Sequence, residues 1–258
     1  MRRGFLFYSQ LAFTLLVCTF LILPVILSVM AGLTVNYFQG LSSGLTLRWI
    51  GEVWSLYSET IFLSLWIAAT CLAVNLVIGV PAAYVLARTG GRLARVLEEL
   101  IVLPVAIPGL AIALALIVTY GGVPDFRTNW SFILVGHVLY TLPFMVRSVL
   151  AVLHSVNFRE LEEGAASLGA TFRQRFCNVV LPNVKPGILA GALMTFTLSI
   201  GEFNLTWMLH TPVTKTLPVG LADSYASMRL EVASAYTLIF FIMIVPLLIA
   251  MQMMSRKR

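Results

Sequence analysis

The sequence predicts an all-α membrane protein with six transmembrane helices, and three observations support this fold class. Hydrophobic residues make up 59% of the 258 residues and charged residues only 11%, with a mean hydropathy of +0.94. An average soluble domain has about 25% charged residues, so an ordinary soluble enzyme is excluded. Several apolar stretches also reach the roughly 20 residues that a helix needs to cross a bilayer. Finally, Lys and Arg fall mainly on one side of these stretches.

The six predicted spans are separated by short connections. Lipid supplies no water to hydrogen-bond the backbone, so each span is predicted to be a helix that tolerates proline as a kink. The predicted spans are residues 11–33, 60–86, 100–120, 131–150, 188–209 and 233–254. The prolines within or beside them are Pro24, Pro81, Pro104, Pro108, Pro143 and Pro246.

The first span has a second interpretation. It follows Arg2 and Arg3, and a secretory signal peptide also combines a positive start with an apolar centre. Its apolar run is longer than the usual 7 to 15 residues of such a centre, and residues 28–32 make a poor cleavage site. A membrane span is therefore the favoured interpretation.

The distribution of positive charge predicts the orientation. Only four of the 17 Lys and Arg residues lie in the connections of one side, namely Arg48, Arg127, Lys215 and Arg229. Because cytoplasmic loops retain Lys and Arg, both termini are predicted to be cytoplasmic. The same rule accounts for the net charge of +6, so no nucleic-acid partner is predicted.

The longest predicted cytoplasmic segment, residues 151–187, is expected to contain two short helices. The first should begin at Asn157, because Asn157 and Glu160 form a variant of the capping box. It should end where Gly169 adopts the left-handed conformation. Its apolar face consists of Leu161, Ala165 and Leu168.

The second short helix is expected to start at Thr171, which forms a second capping box with Gln174, and to be ended by Pro182. Two short helices with so little apolar surface cannot form a core of their own. They suit insertion into the groove of a partner protein. A hairpin that lies on the lipid headgroups is an equally compatible interpretation.

This segment carries a family resemblance. The residues concerned are Glu163, Gly164, Ala165, Gly169, Val179, Leu181 and Pro182. Their pattern resembles the EAA loop of the permease subunits of ATP-binding-cassette (ABC) importers that depend on a binding protein. Gly164 departs from the usual alanine, which costs up to about 1 kcal/mol of helix propensity but adds no bulk. The resemblance covers about residues 60–254 of a single transmembrane domain, with residues 157–182 as the coupling loop.

The resemblance implies a type I ABC importer permease in the inner (plasma) membrane of a bacterial cell. Its implied partners are two ABC ATPase subunits, a second identical or homologous membrane subunit, an extracytoplasmic substrate-binding protein and the lipid bilayer. The ATPase-coupling residues it implies are Leu161, Glu162, Glu163, Gly164, Ala165, Leu168, Gly169, Leu181 and Pro182. Among these, Glu163 is expected to meet a basic group on the ATPase, and Gly169 to set the bend.

The chain itself is expected to be no enzyme and to hold no cofactor. It lacks the GxxxxGK[ST] loop that cradles nucleotide phosphates, so ATP and Mg²⁺ would be bound by the partner subunit. The histidines His137, His154 and His210 and the three cysteines form no catalytic or metal-binding motif, which disfavours an intramembrane enzyme.

Polar residues inside membrane spans are costly and are therefore candidates for the translocation pathway. Glu202 is the best candidate, although a structural hydrogen-bonded bridge between subunits is an equal alternative for it. Ser199, Asn204 and Thr206 lie close to it in the sequence, and His137 and Asn75 are weaker candidates. The GxxxG pattern of Gly187 and Gly191 serves either subunit pairing or packing within one subunit.

The sequence does not decide whether the substrate is an anion or a cation. The segment 201–203 resembles that of sulfate and molybdate importers, whereas the chain as a whole is similar to the polyamine-type branch, which also includes importers of aminophosphonates and ferric iron. A polyamine is placed first. Outside this family, a secondary transporter is the main alternative: residues 103–108 could form a broken helix, but the two halves show no convincing inverted repeat.

Overall fold

The computed structural model describes residues 2–256. Within this range the chain is helical apart from its turns, a short 3₁₀ turn at Gly40–Ser43 and one isolated bridge between Thr34 and Leu45. Lys257 and Arg258, two of the predicted cytoplasmic charges, lie outside the described residues. The helices are α1 (Arg2–Ala31), α2 (Arg48–Thr89), α3 (Gly91–Ala106), α4 (Gly109–Tyr120), α5 (Pro124–Arg127), α6 (Trp130–Ser155), α7 (Phe158–Ser167), α8 (Phe172–Gln174), α9 (Leu181–Ile200), α10 (Asn204–Leu209), α11 (Leu217–Ala226) and α12 (Leu230–Arg256).

The predicted count of spans agrees with these helices. Within the described range, five helical segments are long and apolar enough to cross a membrane, and the pair α3 and α4 makes a sixth if it is taken as one bent span. The five segments are Leu6–Ala31, Arg48–Thr89, Trp130–Ser155, Phe172–Ile200 and Leu230–Met253.

The third span is broken, so the expectation of one kinked helix there is wrong. The two halves meet at an angle of 102°. Pro104 lies inside α3 as predicted, but Pro108 lies between the helices, and Ile107 before it is extended with φ −93° and ψ 131°. Proline disfavours the helical conformation of the residue before it and has no N–H to donate, which explains why the helix stops here.

The fifth span also differs from the prediction. Pro182 does not end a helix, because α8 continues through a π-helical segment, Arg175–Val180, into α9 without a turn. The wider π-turn relieves the clash that proline causes in a regular helix. The side chain of Asn183 donates to the carbonyl of Val179 at 2.7 Å. At the other end the helix stops at Ile200, and α10 begins only at Asn204.

The described chain divides into two compact units. The first comprises residues up to 58 and residues 220–243. In it, Arg229 binds the carboxylate of Glu52 and donates to the hydroxyl of Tyr57 at 2.9 Å, and the hydrogen bond with Glu52 raises the pKa of the Arg229 guanidinium. Gly32 contacts the backbone of helix α12 so closely that a Cβ atom would lie 2.7 Å from Ala235 N.

The second unit comprises residues 59–219 and those from 244 onward, and it contains two apolar clusters. Helix α6 contributes to both clusters. Helix α9 packs closely against α6 because Gly187 and Gly191 of α9 face it. A Cβ atom at Gly187 would be 2.6 Å from Ser148 O, and one at Gly191 would be 2.8 Å from the sulfur of Met145. The GxxxG pattern therefore packs two helices of the same chain.

Candidate functional site

The 157–182 loop begins differently from the prediction. Helix α7 starts at Phe158, but the side chain of Asn157 makes no capping hydrogen bond, so the predicted capping box at Asn157 and Glu160 is wrong. Other contacts fix this end of the helix. Phe158 is buried in an apolar cluster, and Arg159 donates to the carbonyls of Ala87 and Arg88 at 2.9 and 3.0 Å. The last turn of α2 thus anchors the first turn of α7.

The turn after α7 confirms the prediction for Gly169. This residue has φ +83°, a conformation that residues with a Cβ rarely adopt. Gly169 N donates to Ala166 O at 2.9 Å and Ala170 N donates to Ala165 O at 3.1 Å, which together form a Schellman motif. Directly afterwards, Thr171 and Gln174 form the predicted capping box.

The predicted coupling residues separate into an exposed group and one buried residue. Leu161 and Leu168 are 46% and 89% exposed. Glu163, Gly164, Gly169 and Pro182 are exposed as well, and Ala165 and Leu181 are partly buried. Glu162, in contrast, is only 4% exposed. One face of α7 is therefore open to a partner, and Glu162 lies on the opposite face.

Glu162 is held by residues that come from two other helical segments. Its Oε1 atom accepts hydrogen bonds from the hydroxyl of Tyr84 at 2.8 Å and from Nη1 of Arg88 at 2.9 Å. Arg88 also donates to the Tyr84 hydroxyl at 2.6 Å, and Nη1 of Arg175 lies 3.6 Å from the same carboxylate oxygen. Sequence reasoning missed these partners, although Tyr84 and Arg88 are four residues apart and so share one face of α2.

A second candidate site lies at the interruption of the fifth span, residues 201–203. Glu202 was predicted inside a helix but lies in this break, where its carboxylate caps α10. Its Oε1 accepts from Leu205 N at 3.0 Å, and its Oε2 accepts from the amide and the hydroxyl of Thr206 at 2.9 and 3.0 Å. The cap satisfies amide groups at the start of a helix that would otherwise be left without partners inside the membrane.

His137 bridges the two sides of this break. The imidazole is 1% exposed. Its Nδ1 lies 2.8 Å from Oγ of Ser199, which is on α9, and its Nε2 lies 2.8 Å from Oγ1 of Thr206, which is on α10. Because the Thr206 hydroxyl donates its hydrogen to Glu202, it accepts from Nε2–H of a neutral imidazole, and Nδ1 is then left to accept from the hydroxyl of Ser199.

The polar network continues away from the break. Thr141 donates to the carbonyl of His137 at 2.7 Å, and Asn75 donates to the Thr141 hydroxyl at 2.7 Å. The structure therefore joins five of the six polar candidates predicted in the spans. The sixth, Asn204, is exposed at the start of α10. Whether these side chains contact a substrate stays a prediction.

The two interrupted spans adjoin each other. Gly109, the first residue of α4, lies so close to the second break that a Cβ atom would be 3.6 Å from Leu205 N and 3.7 Å from Oε1 of Glu202. Helices α4 and α10 also contribute to one apolar cluster, through Ile112 and Leu209 among others. Both breaks thus form one irregular region inside the membrane-spanning part, and the residues at its edge, such as Ile107 and Gly201, are exposed.

Within the described residues the chain is a helical membrane protein with an exposed helix–glycine–helix loop between two of its spans, as expected for a transport subunit. Residues 76–258 match the family described as "binding-protein-dependent transport system inner membrane component". The match covers more than half of the chain, so the chain belongs to this family, whose members are permease subunits of ABC importers. It is accordingly a transmembrane transport subunit and not itself an enzyme.

Three relatives are named as permeases for molybdenum, sulfate and 2-aminoethylphosphonate. The chain is 28% identical to the molybdenum transport permease ModB of Azotobacter vinelandii over 76% of this chain and 92% of that protein. It is 26% identical to the sulfate permease CysW of Synechocystis over 78% of each chain. It is 27% identical to a putative 2-aminoethylphosphonate permease, PhnV, of Salmonella typhimurium over 95% of this chain and 92% of that one.

A solved structure shows the same fold. A chain of a bacterial ABC transporter involved in the import of the polysaccharide alginate superposes with a TM-score of 0.72, although the sequence identity is 18%. The superposition covers 99% of this chain and 96% of the other. The family match, rather than this shared fold, disfavours the secondary-transporter alternative.

Proposed function

We propose that this permease imports a small oxyanion or phosphonate, driven by ATP that partner subunits hydrolyse. The observation that carries the coupling part is the exposed face of α7, where Leu161, Leu168 and Glu163 are open to a partner. Two apolar side chains beside a carboxylate suit a groove that combines an apolar floor with a basic rim. ATP and Mg²⁺ would be held by the ATPase subunits.

The family supports a proposed assembly. Two ATPase subunits would contact the α7 helices of two membrane subunits on the cytoplasmic side, the side that the positive charges indicate for both termini. A substrate-binding protein would deliver the solute to the opposite side. Glu202, Ser199, Asn204 and Thr206 are proposed to lie along the pathway.

Two observations favour an anion over a polyamine. The relatives named above transport sulfate, molybdenum and 2-aminoethylphosphonate, which supports the alternative in the sequence analysis rather than its first choice. In addition, a polyamine would need carboxylates with free oxygens, whereas both oxygens of Glu202 already accept hydrogen bonds.

The test is reconstitution in liposomes. The chain would be purified with its candidate ATPase and binding protein, and ATP-dependent uptake of sulfate, molybdate, 2-aminoethylphosphonate and spermidine would be compared. We expect uptake of one of the three anions and none of spermidine. Uptake of spermidine would overturn the substrate proposal, and uptake without ATP would overturn the coupling proposal.

A further inference from the structure

Two adjacent carboxylates in α7 differ in their exposure. Neighbouring residues in an α-helix are about 100° apart around the axis, so they have different surroundings. Glu163 is exposed, whereas Glu162 is 4% exposed. The resemblance to the EAA loop implied an ATPase contact for both. The geometry separates them: one faces outward and the other faces the permease itself.

The inward carboxylate joins three parts of the chain. Glu162 belongs to α7, Tyr84 and Arg88 belong to the last turns of α2, and Arg175 belongs to the π-segment that leads into α9. A buried charge is tolerated only when it is paired and hydrogen-bonded. Separating α7 from α2 would remove the hydrogen bonds of Tyr84 and Arg88 and leave this carboxylate with only Arg175, 3.6 Å away, so the two helices are expected to move together.

The other contacts of α7 hold only its ends. On its C-terminal side the chain turns through Gly169, and on its N-terminal side Asn157 provides no side-chain cap. The contacts of Phe158 and Arg159 hold only the first turn. Glu162 lies one turn further along and adds a second fixed point, without which α7 could pivot about its first turn.

We propose that Glu162 is a positioning residue that transmits displacement of α7 to α2 and α9, and that it makes no contact with the ATPase. This inference rests on the proposed function, because it assigns to Glu162 a step in ATP-driven coupling. In a complex that lacks the Glu162 charge, the ATPase still docks and hydrolyses ATP, but α7 pivots and less of its motion reaches the spans.

The test compares Glu162→Gln with its neighbour Glu163→Gln in the full complex. Both variants replace one carboxylate with an amide of the same shape. We expect Glu162→Gln to co-purify with the ATPase in normal amounts and to lower solute transported per ATP about tenfold, within the 5–150-fold range typical of coupling between sites. We expect Glu163→Gln to weaken co-purification while the transport per ATP of the remaining complex is retained.

A second variant keeps the inference testable if Glu162→Gln does not fold. Tyr84→Phe removes one donor to Glu162 and leaves the ion pair with Arg88 in place, so we expect a smaller loss, about twofold to threefold, of transport per ATP. Unchanged transport per ATP in both variants would overturn the inference, as would loss of ATPase binding in Glu162→Gln. Failure of the proposed function would show separately, because the unmodified complex would then lack ATP-driven uptake.

Discussion

The loop around α7 and the break at residues 201–203 both redirect the chain, but different chemistry holds them. At the loop, the carboxylate of Glu162 is fixed by the guanidinium groups of Arg88 and Arg175. At the break, the imidazole of His137 is fixed by the hydroxyls of Ser199 and Thr206. Burying a charged group costs less free energy where a helix ends near water than within a bilayer, where neutral hydrogen bonds cost less than charges.

The difference teaches what each region should tolerate. At His137 a neutral side chain of similar hydrogen-bonding capacity should serve, because the imidazole bridges two hydroxyls without using a charge; the charged group at the break is the carboxylate of Glu202. The same kind of replacement should fail at Glu162, because the cluster depends on the charge. The break should therefore respond to lost hydrogen bonds and the loop to lost charge.

The largest effect is expected at the break. His137→Ala takes a hydrogen-bond partner from the buried hydroxyls of Ser199 and Thr206, although Thr206 keeps its bond to Glu202, and it removes the bridge between α9 and α10. We expect the free energy of unfolding to fall by about 3 kcal/mol, measured by thermal unfolding in detergent together with ATP-dependent uptake. His137→Gln, which restores a donor and an acceptor, should recover about half of this loss. If Gln recovers nothing, the neutral bridge is not what holds the break.

A smaller effect is expected at the turn of the loop. Gly169→Val places a β-branched residue at φ +83°, which costs about 2 kcal/mol, and the relaxed turn would point α7 in another direction. We expect transport per ATP to fall while insertion into the membrane is unchanged. Gly164→Ala is the matched control, because open space surrounds Gly164 and alanine favours the helix. Normal transport by Gly169→Val would show that the bend is not needed.

The smallest expected effect is that of salt, which should lower transport per ATP through the loop but leave the thermal stability of the break unchanged. Arg88 is 46% exposed in its side chain, so salt should screen its attraction to Glu162. We expect transport per ATP to fall by less than about twofold between 0.05 and 0.5 M KCl, and Glu162→Gln to lose this salt dependence. Thermal stability that depends on His137 should not change with salt. If the unmodified complex and the Glu162→Gln complex responded equally to salt, the attraction between Arg88 and Glu162 would not be what couples the loop.

The sequence was sufficient for the spans but not for their interruptions. Hydropathy located the apolar helices because crossing a bilayer requires long runs of apolar residues. It did not show where a helix stops inside the membrane: the residues around Ile107 are as apolar as those in a helix, and the polar Glu202 was compatible with a helical position. Pro108 carried a usable signal, because proline restricts Ile107. The break at residues 201–203 follows from the capping contacts of Glu202, which only the fold reveals.

Local chemistry at the loop was predictable where both partners lie a few residues apart. The capping box of Thr171 with Gln174 and the left-handed Gly169 were both predicted and confirmed. The burial of Glu162 was not predictable, because its partners Tyr84 and Arg88 lie 78 and 74 residues away in the sequence. A helix read alone shows which residues share a face but not which face meets another helix.

The most direct test of the account is whether α7 and α2 move as one body during the ATP cycle. Spin labels would be placed at Thr89 and Ser167, both exposed, in a chain whose exposed Cys18 and Cys177 are replaced by serine. Pulsed electron paramagnetic resonance would then give the distance between them in the ATP-free and ATP-trapped complexes. We expect the same narrow distance in both states, and a broader or shifted distance in Glu162→Gln. If the distance changed between the ATP-free and ATP-trapped complexes while Glu162 was intact, α7 and α2 would not move as one body.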